Sequence, residues 1–252
     1  MEKQTITLCV SGQCNLRCRY CIAKIPQNQD YESEFNFDAA RAWLDTYYKK
    51  ANVHISGGEP LMINGLADRV QELINDGHDV TIFTNGTLLA NHPDLYNMPI
   101  NWQISHQYES GVSYEQFFQN ISVLPTERIL VVRLFWGRDA EQNTTSAEKR
   151  YADAGYNFKW LNFKAGYRDY ECEDKSAKHP NKRFLMIGLH GDVNNCSNPN
   201  HGVIGNTHYL TLDKSNFETF ECKRSTGLCN CQAMQSAEIF TNLHKQMKEG
   251  KK

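Results

Sequence analysis

Residues 5–21 read Thr5-Ile6-Thr7-Leu8-Cys9-Val10-Ser11-Gly12-Gln13-Cys14-Asn15-Leu16-Arg17-Cys18-Arg19-Tyr20-Cys21. The opening run is apolar and rich in β-branched side chains, and it predicts a strand over Thr5–Val10. Cys9 lies inside that strand and reads as a core residue. Ser11-Gly12-Gln13 predicts a turn. Three cysteines then share one loop in a C-x3-C-x2-C spacing. Thiolates that close together can hold three corners of a metal centre and leave the fourth open, which is what a catalytic metal needs. Zinc sites usually pair cysteines as C-x2-C and draw a second pair from elsewhere, so this triplet is a poor zinc match.

From residue 5 to about 164, strand-like and helix-like segments alternate. A helix is expected over Phe37–Lys50, where Ala39, Ala40, Trp43, Leu44, Tyr47 and Tyr48 recur at three- and four-residue spacing, with Asn36 or Asp38 as its N-cap. Strand two is Val53–Ser56. A helix over Gly65–Asn75 is closed by Gly77. Strand three is Val80–Phe83, with a short helix near Thr87–Ala90, and strand four is Trp102–Ser105. A helix over Tyr114–Val123 stops before Pro125. Strand five is Ile129–Phe135, a helix follows over Thr145–Ala154, and strand six is Phe158–Phe163. Six β-then-α units imply a parallel sheet with right-handed crossovers. They are too few for an eight-stranded barrel and fit an open, partial (β/α)6 TIM-type barrel. In such folds the chemistry sits at the C-terminal ends of the strands.

The bulk numbers bound the function. A chain of 252 residues suits one large domain, or one domain with a small appendage. A net charge of -2 advertises neither nucleic acid nor an anionic membrane surface. The apolar runs are far short of a bilayer span. Met1-Glu2-Lys3-Gln4 lacks the layout of a signal peptide, so a cytoplasmic location is expected. Nine cysteines in a reducing compartment are expected to be metal ligands, and an odd count does not suit a fully paired disulfide framework. No histidine pair with zinc-enzyme spacing, no Gly-rich phosphate loop and no serine nucleophile elbow appears.

Cys14, Cys18 and Cys21, with Tyr20 just before the last cysteine, resemble the signature of the radical S-adenosylmethionine enzymes. Ser56-Gly57-Gly58-Glu59-Pro60 ends the second strand and is similar to the family's Gly-Gly-Glu-Pro segment, which binds the amino group of the methionine part of S-adenosylmethionine. Paired glycines allow close approach of backbone carbonyls to an ammonium, and Glu59 would add an acceptor. Thr84-Asn85-Gly86-Thr87 ends strand three, where the family commonly has a Thr-Asn-Gly turn near the cofactor. Read from the residues alone, it is an ordinary Asn-Gly turn. Ser105 stands where relatives carry a cofactor-touching serine. His106 stands where many have an acidic residue. Arg133, inside strand five, needs a partner, which the cofactor carboxylate or a salt bridge would supply. His106 and Arg133 are the candidate catalytic residues. Tyr20, Gly57, Gly58, Glu59, Asn85, Ser105 and Arg133 are the candidate cofactor-binding residues.

After about residue 165 the pattern changes. Residues 165–182 are polar and read as a linker. A hairpin is expected from Phe184–Leu189 and Asp192–Cys196 across a His190-Gly191 turn. A strand-like Tyr209–Leu212 follows, and then a short helix over Ala233–Met247. Gly191 with Cys196, the Ile204-Gly205-Asn206 segment and the terminal cysteines resemble the small auxiliary domain called SPASM or twitch. That resemblance implies two domains, 1–165 and 166–252. It also implies a second 4Fe–4S cluster on Cys196, Cys222, Cys229 and Cys231, with Cys172 as a substitute ligand. A four-cysteine zinc site would use the same residues.

The resemblance implies reductive cleavage of S-adenosylmethionine to a 5′-deoxyadenosyl radical, which abstracts hydrogen from a peptide side chain or a small alcohol-like metabolite. It implies a flavodoxin- or ferredoxin-type electron donor. Two alternatives stand beside it: a compact synthase like 7-carboxy-7-deazaguanine synthase, and a non-catalytic iron–sulfur or zinc protein.

Overall fold

The computed structural model describes residues 3–18, 21, 35–107, 110–135, 140–162, 184–194 and 203–213. Tyr20, Cys172, Cys196, Cys222, Cys229, Cys231 and the expected C-terminal helix lie outside these residues. Six strands follow in parallel: β1 (Gln4–Ser11), β2 (Ala51–Gly57), β3 (Asp79–Thr84), β4 (Asn101–Ser105), β5 (Ile129–Phe135) and β6 (Asn157–Asn162). Between them run α1 (Phe37–Tyr47), α2 (Leu66–Asn75), α3 (Tyr114–Ile121) and α4 (Ala140–Asp153). The sheet is open, as a partial barrel requires.

Local chemistry sets the helix ends. Asn36 Oδ1 accepts the Ala39 N–H at 2.9 Å and caps α1, and Ser113 accepts the Gln116 N–H at 3.2 Å and caps α3. Gly77 and Gly155, at φ +88° and +80°, close the turns after α2 and α4. The expected short helix near Thr87 is a single 3-10 turn at Leu89–Asn91.

Strand parity divides the sheet into two faces. Ile6, Leu8, Val53, Ile55, Val80, Ile82, Trp102, Ile104, Ile129 and Val131 form one buried cluster with Trp43 and Leu44 of α1, Val70 and Leu73 of α2, Phe117 of α3 and Tyr151 of α4. The residues of opposite parity form the inner face of the barrel. That face is largely polar: Thr7, His54, Thr81 and Gln103 are all buried there, next to Leu130 and Val132. Cys9 has this parity too. It is half-buried on the inner face, and the helix-side core does not include it.

The expected hairpin forms, and it also joins the main sheet. β7 (Phe184–Ile187) pairs in parallel with β1, Thr5 opposite Phe184 and Leu8 opposite Ile187. Antiparallel β8 (Asp192–Asn194), β9 (Gly205–Asn206) and β10 (Thr211–Leu212) continue the sheet, giving the order β10-β9-β8-β7-β1-β2-β3-β4-β5-β6. The hairpin turn spans Gly188–Gly191, closed by the Gly191 N–H on the Gly188 carbonyl at 3.0 Å. Helix α1 ties down the far edge: Trp43 Nε1–H donates to the Thr211 carbonyl at 2.9 Å and the Tyr47 hydroxyl to the Leu210 carbonyl at 2.6 Å.

Candidate cofactor site at the strand ends

Three loops meet where β1, β2 and β3 end. β1 carries an extra residue near its end, since Cys9 pairs with Ser56 while Ser11 pairs with Gly57. Such a bulge re-aims the chain that leaves the strand, here the cysteine loop. Gly57 sits at φ +128°, and a Cβ built on it would lie 2.5 Å from the Ser11 carbonyl oxygen. Only glycine allows that approach. Beside it, the Gly58 N–H donates to the Ser11 carbonyl at 2.7 Å and the Glu59 N–H to the Gln13 carbonyl at 2.8 Å.

Glu59 faces inward. It is 1% exposed, and its carboxylate accepts hydrogen bonds from the Thr84 hydroxyl at 2.6 Å, the Asn85 N–H at 2.8 Å and the Leu61 N–H at 3.1 Å. The carboxylate thus braces the β2 loop against the turn after β3 and is not presented as an acceptor for a cofactor ammonium. Burial pushes its pKa above the usual carboxylate value, against the pull of those three donors. A Glu59→Gln change would set an amide N–H against one of the donors. We expect it to cost about 1–3 kcal/mol in urea unfolding, the penalty of a buried unsatisfied polar group. An unchanged midpoint would remove the bracing role.

A ring of side-chain hydrogen bonds joins the cysteine loop to the same turn. Asn15 Nδ2–H donates to Thr87 Oγ1 at 2.8 Å, Thr87 Oγ1–H to Asn85 Oδ1 at 2.5 Å, and Asn85 Nδ2–H to Asn15 Oδ1 at 2.8 Å. Asn85 Nδ2 also lies 4.0 Å from Cys14 Sγ. Asn15 and Thr87 were not singled out from the sequence, because a polar residue in a loop carries no periodic signal.

Cys14, Cys18 and Cys21 are half-buried on this loop. The Leu16 N–H points at Cys14 Sγ at 3.4 Å, and the Cys21 N–H bonds the Cys18 carbonyl at 3.0 Å. Burial pushes the Cys14 thiol up, with Glu59 and Cys21 adding to it, while the Leu16 N–H and Arg17 pull it down. Among the described residues no three such side chains are grouped to hold one metal ion. A cubane cluster makes a different demand, because its irons stand at separate corners. Three thiols on one loop, with N–H groups aimed at sulfur, suit that donor set.

Ser105 ends β4 on the inner face and is half-buried. His106 and Arg133 lie on the helix side instead. The His106 ring, 3% exposed, stacks on Phe117 at 4.1 Å. Its Nε2–H donates to the Val112 carbonyl at 3.1 Å, and its Nδ1 accepts the Tyr151 hydroxyl at 2.6 Å. Burial pushes its pKa down to about 4, so it is neutral at neutral pH. A catalytic part for His106 has no uncommitted ring nitrogen to use. Arg133 shares parity with Val131. It donates to the Tyr114 hydroxyl, lies 5.2 Å from that ring's centroid and hydrogen-bonds Tyr151. The sequence offered two partners, a cofactor carboxylate or a salt bridge; the strand position turns Arg133 away from the barrel interior and toward the tyrosines.

Residues 8–98 match the Radical SAM superfamily model, and this stretch spans all three rim loops. Over that stretch the chain is similar to the radical SAM superfamily. A GTP 3',8-cyclase of Alkaliphilus oremlandii is 36% identical over 92 residues, 34% of this chain and 28% of that protein. An AdoMet-dependent heme synthase of Nitratidesulfovibrio vulgaris is 30% identical over 83 residues, 32% of this chain and 22% of that protein. The matches therefore span less than a third of the length of these curated relatives. Among solved structures, Streptococcus suis SuiB bound to S-adenosylmethionine aligns with a TM-score of 0.48 and 14% identity, over 88% of this chain and 69% of that one. The superfamily implies S-adenosylmethionine and a 4Fe–4S cluster. No described helix is long and apolar enough to cross a membrane.

Proposed function

We propose that this chain is a radical SAM enzyme in which Cys14, Cys18 and Cys21 hold a 4Fe–4S cluster and the Gly57-Gly58 backbone binds S-adenosylmethionine beside it. When bound, that pair supplies reductive cleavage of the sulfonium and a 5′-deoxyadenosyl radical that takes hydrogen from the substrate. The observation that carries this reading is the welding of the three rim loops into one unit. The Ser11 and Gln13 carbonyls fix Gly58 and Glu59. Glu59 in turn fixes Thr84 and Asn85, and the Asn15–Thr87–Asn85 ring anchors the residue next to Cys14. Such preorganisation is what a binding site on loops needs.

On this reading Cys196, Cys222, Cys229 and Cys231 hold an auxiliary 4Fe–4S cluster, with Cys172 as a substitute ligand. That cluster is an electron conduit or a substrate anchor. The substrate is a peptide side chain or a small alcohol-like metabolite, and the electron comes from a flavodoxin- or ferredoxin-type donor in the cytoplasm. The cyclase and heme synthase relatives match about a third of the chain, so their substrates are not carried over.

Iron, sulfide and zinc analysis of anaerobically reconstituted protein tests both clusters. About 8 iron and 8 sulfide per chain are expected for two cubanes. About 4 iron with about 1 zinc would make the C-terminal cysteines a structural site and end the auxiliary-cluster part. Absence of 5′-deoxyadenosine from the reduced, loaded protein would end the enzymatic reading.

A further inference from the structure

One buried group on the inner face of the barrel is left without a match. Gln103, in the middle of β4, is 3% exposed, and its Oε1 has no hydrogen-bond partner among the described residues. A buried amide oxygen left in this state carries its full desolvation penalty, which an apolar residue of similar shape would avoid. Its neighbours make a patch. Phe83 lies beside Gln103 in register on β3 and is half-buried. The His54 ring lies 4.8 Å from the Phe83 ring, tilted by 34°. Thr7 and Thr81 flank His54 in register on β1 and β3.

The chemistry of this patch is neutral. Burial pushes the His54 pKa down to about 4, so at neutral pH its ring carries one N–H and one acceptor nitrogen. Gln103 offers an amide, Phe83 an aromatic surface, and the threonines hydroxyls. A ligand charge buried among these groups would need a counter-charge that none of them supplies. An amide end, in contrast, pairs edge to edge with a planar group that sets a donor beside an acceptor. The patch also lies under the rim. His54 precedes Gly57 by three residues and Gln103 precedes Ser105 by two, roughly 7–10 Å along the strands.

We propose that the inner face around Gln103, Phe83 and His54 binds an uncharged ligand through a planar edge carrying an N–H donor beside a carbonyl or ring-nitrogen acceptor. A peptide amide and a nucleobase both present that edge. The proposal rests on the rim being the cofactor end, and it adds the substrate chemistry beneath it.

Equilibrium dialysis of labelled probes against the cluster-loaded protein with S-adenosylmethionine tests it. The probes are N-acetylalaninamide, adenine and, as a charged control, acetate. At least one of the first two is expected to bind, and which one does identifies the source of the edge. Gln103→Met should weaken that binding about tenfold, with iron content unchanged and the thermal midpoint not lowered. Gln103→Leu is a second replacement with the same expectation. The proposal is overturned if neither probe binds, if acetate binds as well as they do, or if both variants bind like the wild type. It is also overturned if both variants lower the midpoint, which would mark an amide satisfied from within the protein. Probe binding that persists in a protein unable to cleave S-adenosylmethionine would count against the enzymatic reading and leave this one standing.

Discussion

Cys18→Ala is expected to abolish 5′-deoxyadenosine formation by the reduced protein. The loop provides three thiols, and the reading above uses each as one corner of a cubane whose fourth iron stays open. Losing even an outer-shell partner of a metal ligand typically costs about 10–100-fold. Losing a thiolate itself should therefore exceed about a hundredfold. The chain should still fold, because Cys18 is only half-buried on a loop and lies outside the core cluster. Cys229→Ala, by contrast, should keep part of the cleavage activity, since it touches only the proposed auxiliary cluster. The assay is 5′-deoxyadenosine by chromatography, with iron content and circular dichroism measured in parallel. Wild-type activity in Cys18→Ala would refute the assignment of the triplet.

Gly57→Ala should damage both stability and cofactor loading. The added Cβ would meet backbone atoms, the Ser11 oxygen at 2.5 Å and the Ser11 nitrogen at 2.9 Å, and backbone cannot swing aside as a side-chain tip can. At φ +128° an L residue is also strained. Backbone strain of about 1–2 kcal/mol and overpacking of about 1–3 kcal/mol act at the same place. The relief available is to part β1 from β2, which breaks the Gly58 and Glu59 hydrogen bonds to Ser11 and Gln13. That moves the cysteine loop away from Asn85. We expect a loss of stability in denaturant unfolding and a fall in iron bound per chain. A variant that unfolds and loads iron like the wild type would show that the close approach is not needed.

Much of this architecture was legible. Ile6, Leu8 and Val10 alternate with polar residues, as do Val53 and Ile55, and Val80 and Ile82, so strand positions followed from period two. Asn36 and Ser113 stand where caps should stand. The site residues were harder. Ile129-Leu130-Val131-Val132 is apolar on both faces, as buried parallel strands are, so nothing in the run said which way Arg133 points. Only the register with Trp102 and Ile104 puts it on the helix side. Glu59 read as a free acceptor because two of its three donors, Thr84 and Asn85, belong to another turn of the chain. The parallel pairing of β7 with β1 was not legible at all. It joins residues far apart in sequence, and a four-residue apolar segment carries no mark of its partner.

That pairing bears on how the chain is made. β1 is an interior strand of the finished sheet, with β2 on one side and β7 on the other. The first neighbour leaves the ribosome soon after it, whereas the second waits until residues 184–187 have been synthesised. At typical rates of about 5–20 residues per second, β1 keeps one raw edge for roughly 10–30 s. An unpaired strand edge invites pairing with other chains. The nascent chain thus has the loop that carries Cys14 hanging from an unfinished strand until residues 184–187 emerge. The loop is therefore held by a finished strand only once residues 184–187 have sealed β1 from the other side.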